Sequence, residues 1–128
     1  VGFPTETEDD FITTCEFVKR VGFEKAHIFP YSVREGTVAA KMVQLEKSVK
    51  EDRASRLTEI ADNIRTEYLK NQIGKKTEVL FETTKENYNE GYTKNYTPVR
   101  VYSTENLKGK IIEITITDAT KDYCIGKE

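Results

Sequence analysis

The chain has 128 residues and a mass of 14.7 kDa, the size of one domain or of one domain and part of another. Hydrophobic residues make up 37% and charged residues 33%, which excludes a disordered or a collagen-like chain, and the apolar runs are too short to span a membrane. The net charge of −2 excludes nucleic-acid binding by overall basicity, but it does not exclude a local basic surface.

The two cysteines indicate the redox environment of the chain. Cys15 and Cys124 lie near opposite ends of the sequence, and neither a metal-binding spacing nor a disulfide framework results. This usage favours a reduced, cytoplasmic environment.

The chain opens on Val1 and shows no signal-peptide pattern, while residues 1–4 resemble a strand that runs into a turn. We therefore expect an interior or C-terminal piece of a longer protein.

The first predicted helix covers residues 8–21, where apolar side chains recur near the helical period. Thr7 followed by Asp10 predicts a capping arrangement at its start, and Gly22 predicts its end. The apolar stretch 26–29 predicts a buried strand, and a loop with proline and glycine follows it. Strand end, helix, strand and loop in this order predict half of a βαβ unit in a parallel sheet.

Residues 38–72 contain neither glycine nor proline and predict one long helix, interrupted near 44–48. After Gly74 the apolar period changes to two, which predicts short strands with turns at 87–91 and 104–109. The residues predicted to share a strand face are Thr77, Val79, Phe81 and Thr83 in one strand, Asn95, Thr97, Val99 and Val101 in another, and Ile112, Ile114 and Ile116 in a third. Several short strands in so few residues indicate a small closed barrel, because closure removes exposed edges.

Tyrosines alternate with cations between Tyr92 and Tyr102. In a regular strand, one face would carry Tyr92, Lys94, Tyr96, Arg100 and Tyr102. Aromatic rings beside cations on an open barrel face form a stacking platform with phosphate contacts, which predicts RNA binding. Lysines that would extend the platform are Lys75, Lys76, Lys108 and Lys110. The alternatives are a solvated face whose tyrosines cover apolar edges, and a surface that binds a protein partner.

The remaining candidate residues carry weaker signals. The turn at 2–7 lies between a strand and a helix, where parallel sheets bind ligands, although an ordinary capped turn has the same spacing. His27 is the only histidine, and on an apolar strand it is more often packed than catalytic. Cys15 lies on an apolar helix face and is expected in the core. The charged residues of 41–70 predict a solvated helix face, with RNA contact as the alternative.

Three segments resemble, in order, the radical SAM methylthiotransferases. They are V-G-F-P-T-E-T-E at 1–8; H-I-F-P-Y-S at 27–32 followed by R-E-G-T-V-A-A-K-M at 34–42; and G-Y-T-K-N-Y at 91–96 followed by G-K-I-I at 109–112. The third segment resembles the C-terminal TRAM module of that family. The R-E-G-T and G-Y-T-K-N-Y versions look most like the branch that modifies threonylcarbamoyladenosine next to the tRNA anticodon; relatives act on isopentenyladenosine or on a ribosomal-protein aspartate.

The resemblance implies an α/β part followed by an all-β part. Residues 1–73 would be the last βαβ part of a partial TIM-type radical SAM barrel with a connecting helix, and residues 74–128 a five-stranded, OB-like TRAM barrel. The implied function is that of the C-terminal portion of an enzyme that adds a 2-methylthio group to N6-threonylcarbamoyladenosine. The alternative is a helix-plus-barrel module that binds a protein partner, or a ribosomal-protein methylthiotransferase.

The resemblance also implies cofactors and partners. The full enzyme would use S-adenosylmethionine and two 4Fe–4S clusters, whose cysteine motif this chain lacks, so we expect no activity from the chain alone. The expected partner is tRNA, with neither DNA nor a membrane, and the oligomeric state stays open.

The expected site residues follow from the resemblance and the platform pattern. The residues implied to lie near S-adenosylmethionine are Gly2, Phe3, Pro4, Glu6, Phe29, Pro30 and Tyr31. The residues expected to contact RNA are Lys75, Tyr92, Lys94, Tyr96, Arg100 and Lys110. No catalytic residue and no metal ligand is assigned. Thr5 stands where the family usually has glycine, and it would strain or crowd the turn if that glycine needs a positive φ or a close cofactor approach.

Overall fold

The computed structural model describes residues 1–22 and 26–128. Its elements in chain order are helix α1 (Glu8–Val21), a 3-10 turn (Ala39–Lys41), helix α2 (Lys47–Lys70) and strands β1 (Lys76–Thr84), β2 (Asn89–Tyr92), β3 (Pro98–Val101), β4 (Ile111–Ala119) and β5 (Cys124–Lys127). The chain divides into two compact units, Val1–Ile64 and Arg65–Glu128. The second unit contains the end of α2 as well as the strands; a domain boundary at 73/74 stays a prediction. Within the described ranges no helix is long and apolar enough to cross a membrane.

Helix α1 confirms the predicted start and end. The Thr7 hydroxyl accepts from the Asp10 amide at 3.1 Å, and the Asp10 carboxylate accepts from the Thr7 amide at 3.1 Å. These hydrogen bonds hold the pKa of Asp10 below its usual value. Gly22 ends the helix with φ 66°, a left-handed conformation that glycine adopts without a steric penalty. The apolar face of α1 packs in the core of the first unit through Phe11 and Cys15, as predicted for Cys15.

The segment at 26–31 runs alongside the chain start, but the predicted buried strand is wrong. The Val1 amino group donates to the Phe29 carbonyl at 3.1 Å, and the Tyr31 amide donates to the Val1 carbonyl at 2.6 Å. This is the pattern of a parallel pair and fits a βαβ-like order around α1. However, 26–29 forms no strand, and both His27 and Phe29 are exposed, so the expected packing of His27 is also wrong. Parallel strands are buried only when neighbours cover them, and Val1 alone supplies these two bonds.

The long helix begins at Lys47, not at residue 38. Before it, the 3-10 turn is closed by the side chain of Gln44, whose Nε2 donates to the carbonyls of Ala39 at 2.8 Å and Met42 at 3.1 Å. A side-chain amide that satisfies these carbonyls offers the backbone an alternative to helical hydrogen bonding. The interruption expected near 44–48 is thus where the helix starts.

The five strands form a closed barrel in the order β1-β2-β3-β5-β4, which confirms a small OB-like barrel. Neighbours are antiparallel except β3 and β5, which are parallel. Register shifts in β1 between Phe81 and Thr83, and in β4 between Ile116 and Asp118, mark irregularities of the kind that bend strands. The buried core of the barrel unit consists of Leu69, Val79, Phe81, Val99, Val101, Leu107, Ile114, Ile116 and Cys124. The predicted inward faces of β1, β3 and β4 are therefore confirmed at their centres.

Two predictions about the middle of the barrel are wrong. The expected turn at 87–91 overlaps strand β2, and the expected regular strand through Tyr102 is interrupted at 93–97. Gly91 lies within strand β2, where a Cβ would collide with the Leu80 backbone. The position therefore requires glycine because two strands approach closely, not because the chain turns there. The turn predicted at 104–109 does lie between strands, and it connects β3 to β4.

Candidate nucleic-acid interface

The loop between β2 and β3 is closed by its first residue. The Thr93 hydroxyl accepts from the amides of Asn95 at 3.3 Å and Thr97 at 3.2 Å. Its own amide donates to the Thr97 carbonyl at 3.1 Å, and its carbonyl accepts from the Tyr96 amide at 3.0 Å. These bonds use the backbone polar groups inside the loop. Lys94, Asn95 and Tyr96 are consequently exposed, and Tyr96 has a relative exposure of 82%.

The end of α2 anchors the same loop. The Tyr68 hydroxyl and the Thr97 hydroxyl are hydrogen-bonded at 3.1 Å, and Thr97 is buried. Arg65 holds the chain before β5 by donating to the carbonyls of Lys121 at 3.2 Å and Asp122 at 3.1 Å. The exposed tip is thus carried on an anchored frame, which suits a contact surface because little ordering is needed on binding.

Tyr96 has an unusual backbone conformation. Its φ is 60°, and it is the one non-glycine residue with positive φ in the described part of the chain. A side chain in the left-handed region costs roughly 1–2 kcal/mol. Such outliers concentrate where a side chain must be held in a particular place, so the conformation singles out Tyr96.

A cavity of about 560 Å³ lies beside this loop. Its lining includes the side chains of Tyr68, Gln72, Lys75, Lys76, Glu78 and Lys94. Among the described residues, none of the three lysine ammonium groups has an ion-pair partner. Lys75 and Lys94, two of the residues expected to contact RNA, are therefore brought together with their charges available for phosphate.

A second cavity of about 290 Å³ shares Glu78, Thr93 and Lys94 with the first. It adds the two tyrosines expected to stack on bases, together with exposed apolar side chains: Tyr92, Tyr96, Leu80 and Ile111. The structure thus collects Tyr92, Lys94 and Tyr96 around one cavity. Lys110 lines neither cavity, and its backbone is occupied by hydrogen bonds with Leu107 and Phe81.

Arg100 belongs to a different cluster. Its Nε donates to the Glu90 carboxylate at 2.7 Å, which is the main cause that raises the pKa of Arg100. The guanidinium lies 4.6 Å from the Tyr88 ring centroid and 4.0 Å from that of Tyr123. The Tyr88 ring in turn lies 5.9 Å from that of Tyr102. The interruption at 93–97 separates this cluster from the loop tip, so the expected single row of side chains does not form.

In the first unit, the turn at 2–6 is held by α2. The Glu6 carboxylate accepts from the Gly2 amide at 3.0 Å and from Arg53 Nη1 at 2.9 Å, and Arg53 Nη1 also donates to the Glu6 carbonyl at 2.8 Å. Arg53 is buried, so the expectation of a wholly solvated charged face on α2 is wrong there. Gly2 has φ 84°, and a Cβ would lie 2.6 Å from Lys50. Thr5 is exposed and has no positive φ, so the strain considered for it is absent.

Sequence reasoning missed Arg53 and Lys50. Lys50 Nζ lies 5.2 Å from the Tyr31 ring centroid, and the Tyr31 and Phe3 rings meet edge to face at 5.3 Å. No motif marks either cation, because both sit among many charged residues of α2. Their partners are more than 15 residues away in the chain, which no local period can reveal.

Another open cavity in the first unit has a volume of about 730 Å³. Its lining residues are Phe29, Pro30, Tyr31, Ser32, Arg34, Thr37 and Ala39. Aromatic and apolar walls with a few polar groups are the usual composition of a small-molecule site. This composition fits the adenosine part of S-adenosylmethionine. Gly2, Phe3, Pro4 and Glu6 do not line the cavity.

The cysteines do not fit an iron–sulfur cluster. Both Cys15 and Cys124 are free and buried. Burial raises the pKa of Cys124 to about 11 and also raises that of Cys15, whereas cluster ligands are thiolates. Over the described ranges, no group of three or more His, Cys, Asp or Glu residues is placed to hold a metal ion.

Comparison with known proteins identifies relatives, although no family model matches. The chain is 39% identical to the threonylcarbamoyladenosine tRNA methylthiotransferase MtaB of Bacillus subtilis, over 99% of the chain and 30% of that protein. It is 39% identical to the Rickettsia prowazekii protein of the same name, over 78% of the chain and 23% of that protein. It is 38% identical to the tRNA-2-methylthio-N(6)-dimethylallyladenosine synthase of Alkaliphilus oremlandii, over 92% of the chain and 26% of that protein.

The chain thus spans less than a third of the length of the curated relatives it matches. Membership of this family implies S-adenosylmethionine and iron–sulfur cofactors for the full-length enzymes. The matched region is their C-terminal part, and the chain belongs to the radical SAM methylthiotransferase family.

Proposed function

We propose that this chain is the C-terminal part of a tRNA methylthiotransferase and that its barrel unit contacts the tRNA. The observation that carries the proposal is the anchored loop at 93–97, which presents Tyr96 in a strained conformation beside Tyr92 and Lys94. Aromatic rings on a barrel face stack on unpaired bases, and neighbouring cations pair with phosphates. Lys75 supplies a further cation at the adjoining cavity.

The proposed substrate is the N6-threonylcarbamoyladenosine next to the anticodon, to which the full enzyme adds a 2-methylthio group. Two of the relatives carry that nucleoside in their names, and the R-E-G-T segment at 34–37 belongs to the resemblance. The anticodon loop is single-stranded, so its bases are accessible to an aromatic platform. A tRNA substrate places the proposed enzyme in the cytoplasm.

The first unit is proposed to form one wall of the S-adenosylmethionine site. When bound in the full enzyme, S-adenosylmethionine and two 4Fe–4S clusters supply the radical, sulfur and methyl chemistry. In this chain, Phe29, Pro30 and Tyr31 would bind the adenosine part in their open cavity. The role proposed for Arg53 is to hold Glu6, and through it Gly2, so that the turn keeps one shape. The cluster ligands would come from elsewhere in the full enzyme.

The test compares two exposed tyrosines of the barrel unit. Tyr96 lies at the loop tip, and Tyr102, a residue that is 56% exposed, lies in the other aromatic cluster. We expect Tyr96→Ala to weaken the binding of unmodified tRNA to the full chain by about 1–3 kcal/mol, because a base loses its stacking partner. Tyr102→Ala should leave the affinity within about twofold, since that ring lines neither cavity at the loop. Fluorescence anisotropy with labelled tRNA measures both affinities.

Equal affinities for the wild-type chain and Tyr96→Ala, with both folded by circular dichroism, would contradict the proposed interface. Binding to a protein partner that persists in excess RNA and at high salt would instead support a protein-binding module.

A further inference from the structure

Glu78 occupies an unexpected place for an acidic residue. It lies on the outer face of β1 and lines both cavities at the proposed RNA interface. The structure gives its carboxylate no ion-pair partner among the described residues. A free carboxylate repels phosphate, so its presence between the lysines and the tyrosines calls for an explanation other than RNA backbone binding.

The same carboxylate also lies in an unfavourable position within the barrel. In the antiparallel pair of β1 and β4, Glu78 stands directly opposite Glu113, and both are exposed. Like charges directly opposite each other destabilise a sheet. Glu78 therefore stabilises neither the pairing of β1 with β4 nor a contact with phosphate.

We propose that Glu78 reads the edge of an unpaired base, an inference that rests on the proposed RNA-binding function. With a base stacked at Tyr92 and Tyr96, the Glu78 carboxylate accepts a hydrogen bond from the exocyclic amino group of that base or of its neighbour in the adjoining cavity. Lys94, which lines both cavities, pairs with the phosphate between the two nucleotides. The carboxylate thus faces bases while the ammonium groups face the backbone.

A carboxylate in this position distinguishes bases by the hydrogen-bonding groups on their edges. An ionised carboxylate only accepts hydrogen bonds. Cytosine presents an amino group as a donor at the position where uracil presents a carbonyl oxygen as an acceptor, and a carboxylate placed there favours the amino-bearing base. The two pyrimidines are close in size and shape, so a difference in affinity between them reports on contacts with the base edge.

The test measures hexacytidylate and hexauridylate binding to the full chain at one fixed salt concentration. We expect the wild-type chain to bind hexacytidylate about fivefold to tenfold more tightly, the lower range for a good base-specific contact. In Glu78→Gln the preference should fall to less than about twofold, because the amide both donates and accepts. The control is Glu113→Gln, which removes the same charge from the opposite residue, lines neither cavity and should leave the preference unchanged.

Two results would overturn the inference and leave the proposed function standing. One is a wild-type chain without a preference between the hexamers, or without affinity for either, while tRNA binding still depends on Tyr96. The other is a Glu78→Gln chain that binds both hexamers more tightly by the same factor, which would make Glu78 a repulsive charge only. A chain that binds neither tRNA nor hexamers would contradict the proposed function itself.

Discussion

At the residue scale, Tyr96 links backbone strain to the proposed contact. Its φ of 60° disfavours any residue with a Cβ, whereas glycine adopts it freely. We predict that the free energy of unfolding of Tyr96→Gly is about 1 kcal/mol higher than that of Tyr96→Ala, because only the alanine variant keeps the left-handed penalty. The greater entropy of glycine in the unfolded chain offsets part of this gain. Both variants should bind tRNA equally weakly. Urea unfolding and anisotropy measure the two quantities, and a glycine variant less stable than the alanine variant would refute the strain.

The Cys124 thiol is free and buried in the core of the barrel unit. Burial raises the pKa of its thiol from 9.0 to about 11 in the folded chain. Between these values the unfolded state releases a proton that the folded state keeps, so stability present below pH 9 is lost as the pH rises through 11. We predict a loss of about 1–2 kcal/mol in the free energy of unfolding from this group.

The control for Cys124 is Cys124→Ala, which removes the titrating thiol. The alanine variant will be less stable at pH 8, but its further loss between pH 8 and pH 11 should be smaller than that of the wild-type chain. Urea unfolding at both pH values gives the difference, and equal alkaline losses would show that the thiol does not contribute.

At the element scale, Asn89 joins strand β2 to the connection between β3 and β4. Its fully buried side chain donates to the Glu105 carbonyl at 2.8 Å and accepts from the Leu107 amide at 3.1 Å and the Thr84 hydroxyl at 2.7 Å. We predict that Asn89→Ala lowers the free energy of unfolding by about 2–4 kcal/mol, because buried polar groups lose their partners. The matched control is Asn95→Ala at the exposed loop tip, which should cost less than about 0.5 kcal/mol. Similar losses for both variants in urea unfolding would contradict this role.

At the scale of the whole molecule, charge limits how RNA is bound. The net charge is −2, and residues 73–128 carry 9 basic and 9 acidic side chains. Among the described residues, the lysines that line the cavity at the loop are Lys75, Lys76 and Lys94. We predict that log affinity for tRNA falls with log salt concentration with a slope shallower than about −5, since each neutralised phosphate contributes about −0.7 to −0.9. A titration from low to high KCl measures the slope, and a steeper value would indicate a wider basic surface.

Features that depend on near neighbours in the chain follow from local sequence alone. Thr7, Asp10 and Gly22 specify the ends of α1 through local hydrogen bonds and backbone conformation. Alternating apolar residues such as Val79 and Phe81 specify the inward face of a strand, because the side-chain period of a strand is two. The quoted motifs, which are contiguous in the chain, were sufficient to indicate the family.

Features that depend on residues distant in the chain require the folded barrel. The pattern around 93–97 keeps a strand-like alternation, so only the hydrogen bonds of Thr93 and Thr97 reveal the loop there. Barrel closure then decides that Arg100 meets Glu90 and Tyr123 while Glu78 meets the loop cavities. A periodic pattern assigns a side chain to a face, but its partners on that face come from other strands, and their register follows from packing the barrel as a whole.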